Sequence, residues 1–252
     1  MVHFIGAGPG APDLVTVRGM RLLQNTGMVI YAGSLVNPEL LSYAPSGCEI
    51  HDSASMTLDE IVNTMKDGHE RGLNVVRLHT GDPSLYGAVR EQMDRLKALC
   101  ISFEVVPGVS SFCAAAAALN AEYTLPGVSQ TLIITRMEGR TPVPERESIR
   151  KLATHGSSMA LFLSAGKLKE LCSDLMEGGV YTSETPAALV YKASWPEQKI
   201  LRGTLANLPE QAEATNIRKT SLILVGDFLG DDYELSKLYD ASFGHEFRDA
   251  KN

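Results

Sequence analysis

Nowhere in the 252 residues does an uninterrupted apolar run approach the roughly 18 to 20 residues that a spanning helix needs, so no membrane span is expected. No Cys-x-x-Cys spacing occurs either. The four cysteines, Cys48, Cys100, Cys113 and Cys172, are scattered, which reads as free buried thiols in a reducing compartment. The opening Met1-Val2-His3-Phe4-Ile5-Gly6 lacks a basic n-region and breaks at once into glycine. A secretory leader is therefore not expected, and the cytosol is. Basic residues are outnumbered, 23 Lys and Arg against 30 Asp and Glu, for a net charge of -7. With no basic stripe to neutralise phosphates, nucleic acid is not an expected partner. Internal repeats and low-complexity tracts are absent too. If the ligand is a polyanion, local Arg and Lys must act against the overall field.

What is present is a chain with 44% hydrophobic residues, long enough for two compact α/β domains or one large one. Its first half alternates short apolar runs with helical periods. Strands are expected at 2–5, 28–31, 74–80 and 103–106, and helices at 16–26, 86–99 and 110–120. Leu58, Ile61, Val62 and Met65 recur at i, i+3, i+4 and i+7, the period of an amphipathic helix. Strands separated by helices imply a mostly parallel sheet. Thr124 to Ser129 is punctuated like a linker, which divides the chain into domains at 1–122 and 123–252. Beyond it, strands at 130–135, 159–163, 187–192, 199–203 and 222–225 and helices at 145–155 and 167–178 make the second half look mixed. A hairpin is expected across Trp195-Pro196, and the polar tail from Gly230 is expected on the surface or against a partner subunit.

Three glycine turns follow three strands. Gly6-Ala7-Gly8-Pro9-Gly10 stands where a dinucleotide fingerprint would, but Ala11 occupies the place of its third glycine and Pro9 removes a backbone donor. A phosphate site, a plain tight turn, and a surface that a large flat ligand can approach all remain open. Thr16 is the expected N-cap of the helix that follows, and Arg18 in its first turn opposes the helix dipole unless it faces an anion. The second turn, Thr80-Gly81-Asp82-Pro83-Ser84-Leu85-Tyr86-Gly87, closes a buried strand. Asp82 reads either as a turn-forming carboxylate or as the partner of a ribose hydroxyl or amino group, and Tyr86 could cover a flat ligand. His79 reads as a structural histidine at a strand end, with a general-base role the sharper alternative. The third turn, Pro107-Gly108-Val109-Ser110-Ser111, carries serines that can cap a helix and donate to a ligand. Three turns at the carboxyl edge of one sheet point to a ligand site.

At these residues the chain resembles a family. Ile5 to Gly10 with Leu14 to Gly19 is similar to the first signature of the tetrapyrrole methylases, the uroporphyrinogen III and precorrin methyltransferases. Val75 to Gly87, continuing through Leu96 and Phe103 to Pro107-Gly108, is similar to the second. Within that family, Thr135 to Glu145 resembles the segment of the precorrin-4 C11-methyltransferases, on their cobalt-dependent, anaerobic side. Val190 to Pro196 and the tail residues Ser236 to Asp240, Phe243 and Phe247-Arg248 point the same way.

The resemblance implies a two-domain α/β tetrapyrrole methylase fold, with a parallel-sheet N-terminal domain and a mixed-sheet C-terminal domain. It implies homodimers, with S-adenosylmethionine bound in the cleft between the domains and S-adenosylhomocysteine released. Pro9, Gly81, Asp82, Tyr86, Ser110, Ser111, Leu163, Ala193 and Ser221 would then lie around the cofactor. Gly8 and Gly10 would border the tetrapyrrole, whose carboxylate arms would meet Arg18, Arg136, Arg140 and Lys192. The reaction implied is an in-line displacement at a sulfonium methyl by C11 of (cobalt-)precorrin-4. It needs alignment and charge complementarity; no catalytic residue is assigned and no protein-bound metal is expected. The alternatives are methylation at another ring position, as on uroporphyrinogen III, and a carrier that kept the fold without turnover.

Overall fold

The computed structural model describes residues 1–33 and 35–250. They fall into two compact units, Met1–Ala118 with Lys192–Lys199, and Leu119–Tyr191 with Ile200–Asn252. Residues 192–199, although late in the chain, thus group with the first unit.

The first unit is built on strands β1 (Val2–Gly6), β2 (Met28–Tyr31), β3 (Glu49–Asp52), β4 (Val75–His79) and β5 (Phe103–Val106), in the order β3-β2-β4-β1-β5. Every strand pair with a described register is parallel. β1 and β4 are buried along their whole length, because in a parallel sheet helices cover both faces. Alternate residues face opposite ways. Phe4, Met28, Ile30 and Val75 pack with Ile61 and Met65 of α2 (Leu58–Glu70) and Leu96 of α3 (Arg90–Ala98). Ile5, Val29, Val76 and Leu78 pack on the other face with Leu23 of α1 (Val17–Leu23) and with Leu40. Thr16 caps α1, accepting from the Gly19 amide at 3.1 Å, as expected. The α2 helix starts with a reciprocal capping box between Thr57 and Glu60. Helix α4 (Ser111–Leu119) follows β5.

The second unit has β6 (Leu132–Arg136), β7 (Ser158–Phe162), β8 (Pro186–Tyr191), β9 (Lys199–Thr204) and β10 (Ser221–Val225), in the order β6-β7-β10-β8-β9. β6 and β7 are parallel, whereas β10 runs antiparallel to both β7 and β8, so the sheet is mixed as expected. Its core joins Met159, Leu161, Leu189, Ile223 and Val225 to Leu168, Leu171 and Leu175 of α6 (Leu168–Glu177) and Leu208 and Ala212 of α7 (Leu208–Ala214). β8 and β9 are neighbours in the sheet, where a hairpin was expected.

Several elements differ from the sequence reading. The helix expected over 86–99 starts only at Arg90, because Tyr86 (φ 55°) and Ala88 (φ 47°) are left-handed. The helix expected over 145–155 shrinks to α5 (Ile149–Ala153), since Ser148 is extended after a single 3₁₀ turn. β3 was not anticipated. It is a four-residue edge strand with charged residues at Glu49 and Asp52 and no apolar alternation, a pattern suited to an edge. All four cysteines are unpaired. Among the described residues no helix is long and apolar enough to cross a membrane.

Candidate functional site

The order β4-β1-β5 places three strand ends side by side, and the three glycine turns leave from them. Their backbones pack directly on one another. A Cβ on Gly6 would stand 2.5 Å from the Gly108 Cα, and one on Gly108 would stand 2.2 Å from the Gly81 carbonyl. Gly8 needs its glycine for a different reason, a φ of 77°. Gly10 has a third: a Cβ there would stand 2.0 Å from Cδ1 of Trp195.

Several backbone donors of these turns are engaged within the protein. The Ala7 amide donates to the His79 carbonyl at 2.6 Å, and Gly8 and Gly81 exchange a pair of bonds, at 3.3 and 2.8 Å. Pro9 has no N–H. The Ala11 amide donates to the Ser194 hydroxyl at 3.0 Å, and the Gly108 amide donates to Asp82 Oδ2 at 2.8 Å. A pyrophosphate set against this edge would find those donors already taken. The phosphate reading of the glycine start thereby loses the donors at residues 7, 8, 11, 81 and 108.

Asp82 organises the second and third turns together. Its Oδ1 accepts from the Ser84 amide at 2.8 Å and from the Ser84 hydroxyl. Burial alone would raise this carboxyl. The Ser84 hydroxyl and the amides of Gly108 and Ser84 outweigh that and hold it below its usual value, so it is a fixed anion at neutral pH. His79 lies beneath, 8% exposed, with Nδ1 2.8 Å from the Thr80 carbonyl. Burial lowers its pKa against the opposing effect of that carbonyl, and a neutral imidazole tied to the backbone fits the structural reading. Tyr86 is 44% exposed on its left-handed backbone. Ser110 is buried at the start of α4, its carbonyl accepting from the Cys113 amide at 3.1 Å, and Ser111 is half-buried as the first residue of the helix.

Residues 192–199 dock on the glycine start. Trp195 Nε1 donates to the Pro9 carbonyl at 2.9 Å, and Lys192 Nζ stands 4.9 Å over the indole and 3.6 Å from Glu197. Lys192 (φ 46°) and Ser194 (φ 70°) flank the buried Ala193 with left-handed backbone. Asn37, also buried, donates to the Gly10 carbonyl at 2.9 Å. Neither Trp195 nor Asn37 stood out in the sequence as a partner of the glycine start. An Asn-Pro step and the chain's single tryptophan were the available signals.

In the second unit, the register sets the ends of β6, β7 and β8 and the start of β10 along one sheet edge. Arg136 pairs with Phe162, and Ser221 with Tyr191. Leu163, next after β7, is 75% exposed with φ 54°. A branched apolar side chain held out on strained backbone is a mark of a ligand contact. The Ser221 hydroxyl donates to the Lys219 carbonyl at 3.0 Å. Arg136 turns inward on its own loop, donating to the carbonyls of Met137, Thr141 and Pro142 at 3.1, 3.2 and 2.8 Å. Its guanidinium thus shapes the Thr-Pro-Val-Pro element more than it offers a free fork. Arg140 and, in the first unit, Arg18 are exposed and form no ion pair among the described residues.

Residues 1–209 match the model of the Tetrapyrrole (Corrin/Porphyrin) Methylases. A cobalt-precorrin-4 C(11)-methyltransferase of Methanocaldococcus jannaschii is 51% identical over 98% of this chain and 95% of its own length. A precorrin-4 C(11)-methyltransferase of Pseudomonas aeruginosa is 45% identical over 98% of each chain. Among solved structures, a cobalt precorrin-4 methyltransferase of cobalamin biosynthesis superposes with a TM-score of 0.89 at 47% identity, over 91% of this chain and 96% of that one. A uroporphyrin-III C-methyltransferase of Thermus thermophilus, complexed with S-adenosylhomocysteine, superposes with a TM-score of 0.75 at 25% identity, over 90% and 92%.

Proposed function

The chain belongs to the tetrapyrrole (corrin/porphyrin) methylases, and from that premise we propose that it transfers a methyl group from S-adenosylmethionine to C11 of cobalt-precorrin-4 or precorrin-4. The products are the corresponding precorrin-5 and S-adenosylhomocysteine. Two relatives that bear the cobalt-precorrin name, at 51% and 48% identity, support the cobalt-bearing substrate.

The observation that carries the cofactor half is the accounting of donors at the glycine turns. An edge whose amides at positions 7, 8, 81 and 108 are internally bonded suits a cofactor without phosphate. S-adenosylmethionine would supply the electrophilic methyl, and the ring carbon the electron pair. The residues present fit it: Asp82 offers a fixed negative charge toward a cationic sulfonium, and Tyr86, on the same turn, offers exposed apolar surface. The three glycines pack backbone on backbone and hold the turns that present Asp82 and Ser110. The described residues bring no nucleophile-base pair to the edge of the first sheet, and His79 is tied down, so this machinery aligns reactants and leaves bond-making to them.

Arg140, an exposed cation with no ion pair among the described residues, would receive a carboxylate arm of the tetrapyrrole. Any metal would enter with the substrate, and neither nucleic acid nor membrane takes part. The protein works in the cytosol as a homodimer; Leu235, Tyr239 and Phe247, more than four-fifths exposed in the tail, support an apolar contact between copies. The test is to incubate the pure protein with S-adenosylmethionine and either precorrin, then locate the new methyl by mass spectrometry and NMR. A methyl on another carbon refutes the regiochemistry, and cofactor binding without transfer refutes the enzyme in favour of a carrier.

A further inference from the structure

A guanidinium is buried in the middle of β4. Arg77 is 5% exposed and no carboxylate pairs with it among the described residues. Its Nε donates to Gln92 Oε1 at 3.2 Å, and one terminal nitrogen reaches the carbonyls of Ile30 and Leu78 at 3.3 and 3.4 Å. A cation without a counter-ion is an expensive thing to keep inside a sheet. The bond from Gln92 onward shows what it does. Gln92 sits in the first turn of α3, and its Nε2 donates to the Ala88 carbonyl at 3.1 Å.

Ala88 is left-handed, as is Tyr86, and a Cβ on Gly87 between them would stand 2.2 Å from the Pro83 carbonyl oxygen. Two left-handed non-glycine residues in three cost free energy, and they persist only where neighbours over-determine them. The neighbours here are Asp82 with Ser84 at the start of the loop and Gln92 at its end, with His79 below Gly87. An Arg77–Gln92–Ala88 relay therefore fixes the end of the loop that Asp82 does not reach. The residue thrust outward by the loop is Tyr86.

We infer that Arg77 and Gln92 are positioning residues for the cofactor: the buried guanidinium orients the Gln92 amide, which clamps Ala88 and holds the strained loop that presents Tyr86 to S-adenosylmethionine. This rests on the proposed function only where the cofactor is named. The clamp itself is a property of the free protein.

Gln92→Glu separates the clamp from the stability of the fold. A glutamate keeps a partner for Arg77, and makes it a counter-ion, while replacing the donor to the Ala88 carbonyl by a repelling oxygen. Thermal melting should show Gln92→Glu at least as stable as wild type. Amide hydrogen exchange should quicken over 84–89 and stay unchanged in β4. Calorimetric titration with S-adenosylhomocysteine should show about tenfold weaker binding, the scale of one lost hydrogen bond. Combining it with Tyr86→Ala should add little, because both act through one side chain. Should Gln92→Glu not fold, Gln92→Met carries the same exchange and titration measurements. Wild-type exchange over 84–89, or an undiminished affinity in a protein whose wild type binds, overturns the inference. If the wild type itself binds no S-adenosylhomocysteine, the proposed function fails, and loosened exchange alone would then reduce the clamp to a structural one.

Discussion

Replacing Gly10 by alanine should destabilise the protein through a single distant side chain, and removing that side chain should abolish the penalty. The added Cβ would stand 2.0 Å from Cδ1, 2.2 Å from Nε1 and 2.8 Å from Cγ of Trp195. The indole cannot simply swing away, since its Nε1 is bonded to the Pro9 carbonyl and Lys192 lies over its face. Overpacking of this kind costs about 1–3 kcal/mol, and losing the Pro9 bond would add about 1 kcal/mol, so Gly10→Ala should cost about 2–4 kcal/mol. Trp195→Ala carries its own penalty, but in that background the three atoms nearest the added methyl are gone. A double-mutant cycle should then give a coupling of about 2 kcal/mol or more. Urea unfolding followed by far-UV circular dichroism is the assay, because Trp195 is the only tryptophan and fluorescence would vanish with it. Equal penalties for Gly10→Ala in both backgrounds would refute the argument, and with it the claim that Trp195 dictates the third glycine.

Two further predictions follow from charge. Arg140→Ala should raise the KM for the tetrapyrrole about tenfold and leave that for S-adenosylmethionine unchanged, since an exposed guanidinium with no ion pair among the described residues leaves its fork to a carboxylate arm; parallel loss of both affinities would remove Arg140 from substrate binding. His79, whose pKa burial lowers, binds fewer protons folded than unfolded, so stability should fall as pH drops through the ordinary imidazole range from about 7.5 to about 5 and level off below the depressed value. Melting temperatures across that window should fall less in His79→Gln, and an identical slope would mean that His79 is not the group responsible.

The architecture was largely legible because its strands announce themselves. β1 and β4 are short, largely apolar runs followed by glycine turns, and the periodic apolar face of α2 is sharp. The β3 edge strand was hidden by its charges. Helix α7 was hidden by its brevity: only Leu208 and Ala212 face the core, too few to show a period. The false start of the helix at 86 has a more instructive cause. Tyr86 to Val89 carries no glycine at the positions that turn left-handed, so local propensity favours helix and only the Asp82 and Gln92 contacts overrule it. A conflict between propensity and conformation of this kind belongs at a functional loop.

The glycine start shows most clearly where sequence reasoning stops. Three readings stood open for it, and the structure gives each of its glycines a structural reason of its own. Gly6 permits backbone packing against Gly81 and Gly108, Gly8 permits a left-handed turn, and Gly10 makes room for Trp195. The partner of Gly10 lies in a segment reached only after seven strands and six α-helices have intervened; the Trp195 to Pro9 bond spans 186 positions, and nothing local to either residue hints at it. That distance has a functional consequence. Lys192 and Ala193 enter the first unit only because Trp195 and Ser194 are anchored on Pro9 and Ala11, so the glycine start is also the dock for a segment that carries two of the candidate site residues. A single methyl at position 10 should therefore disturb ligand binding as well as stability, and it should do so without touching any ligand.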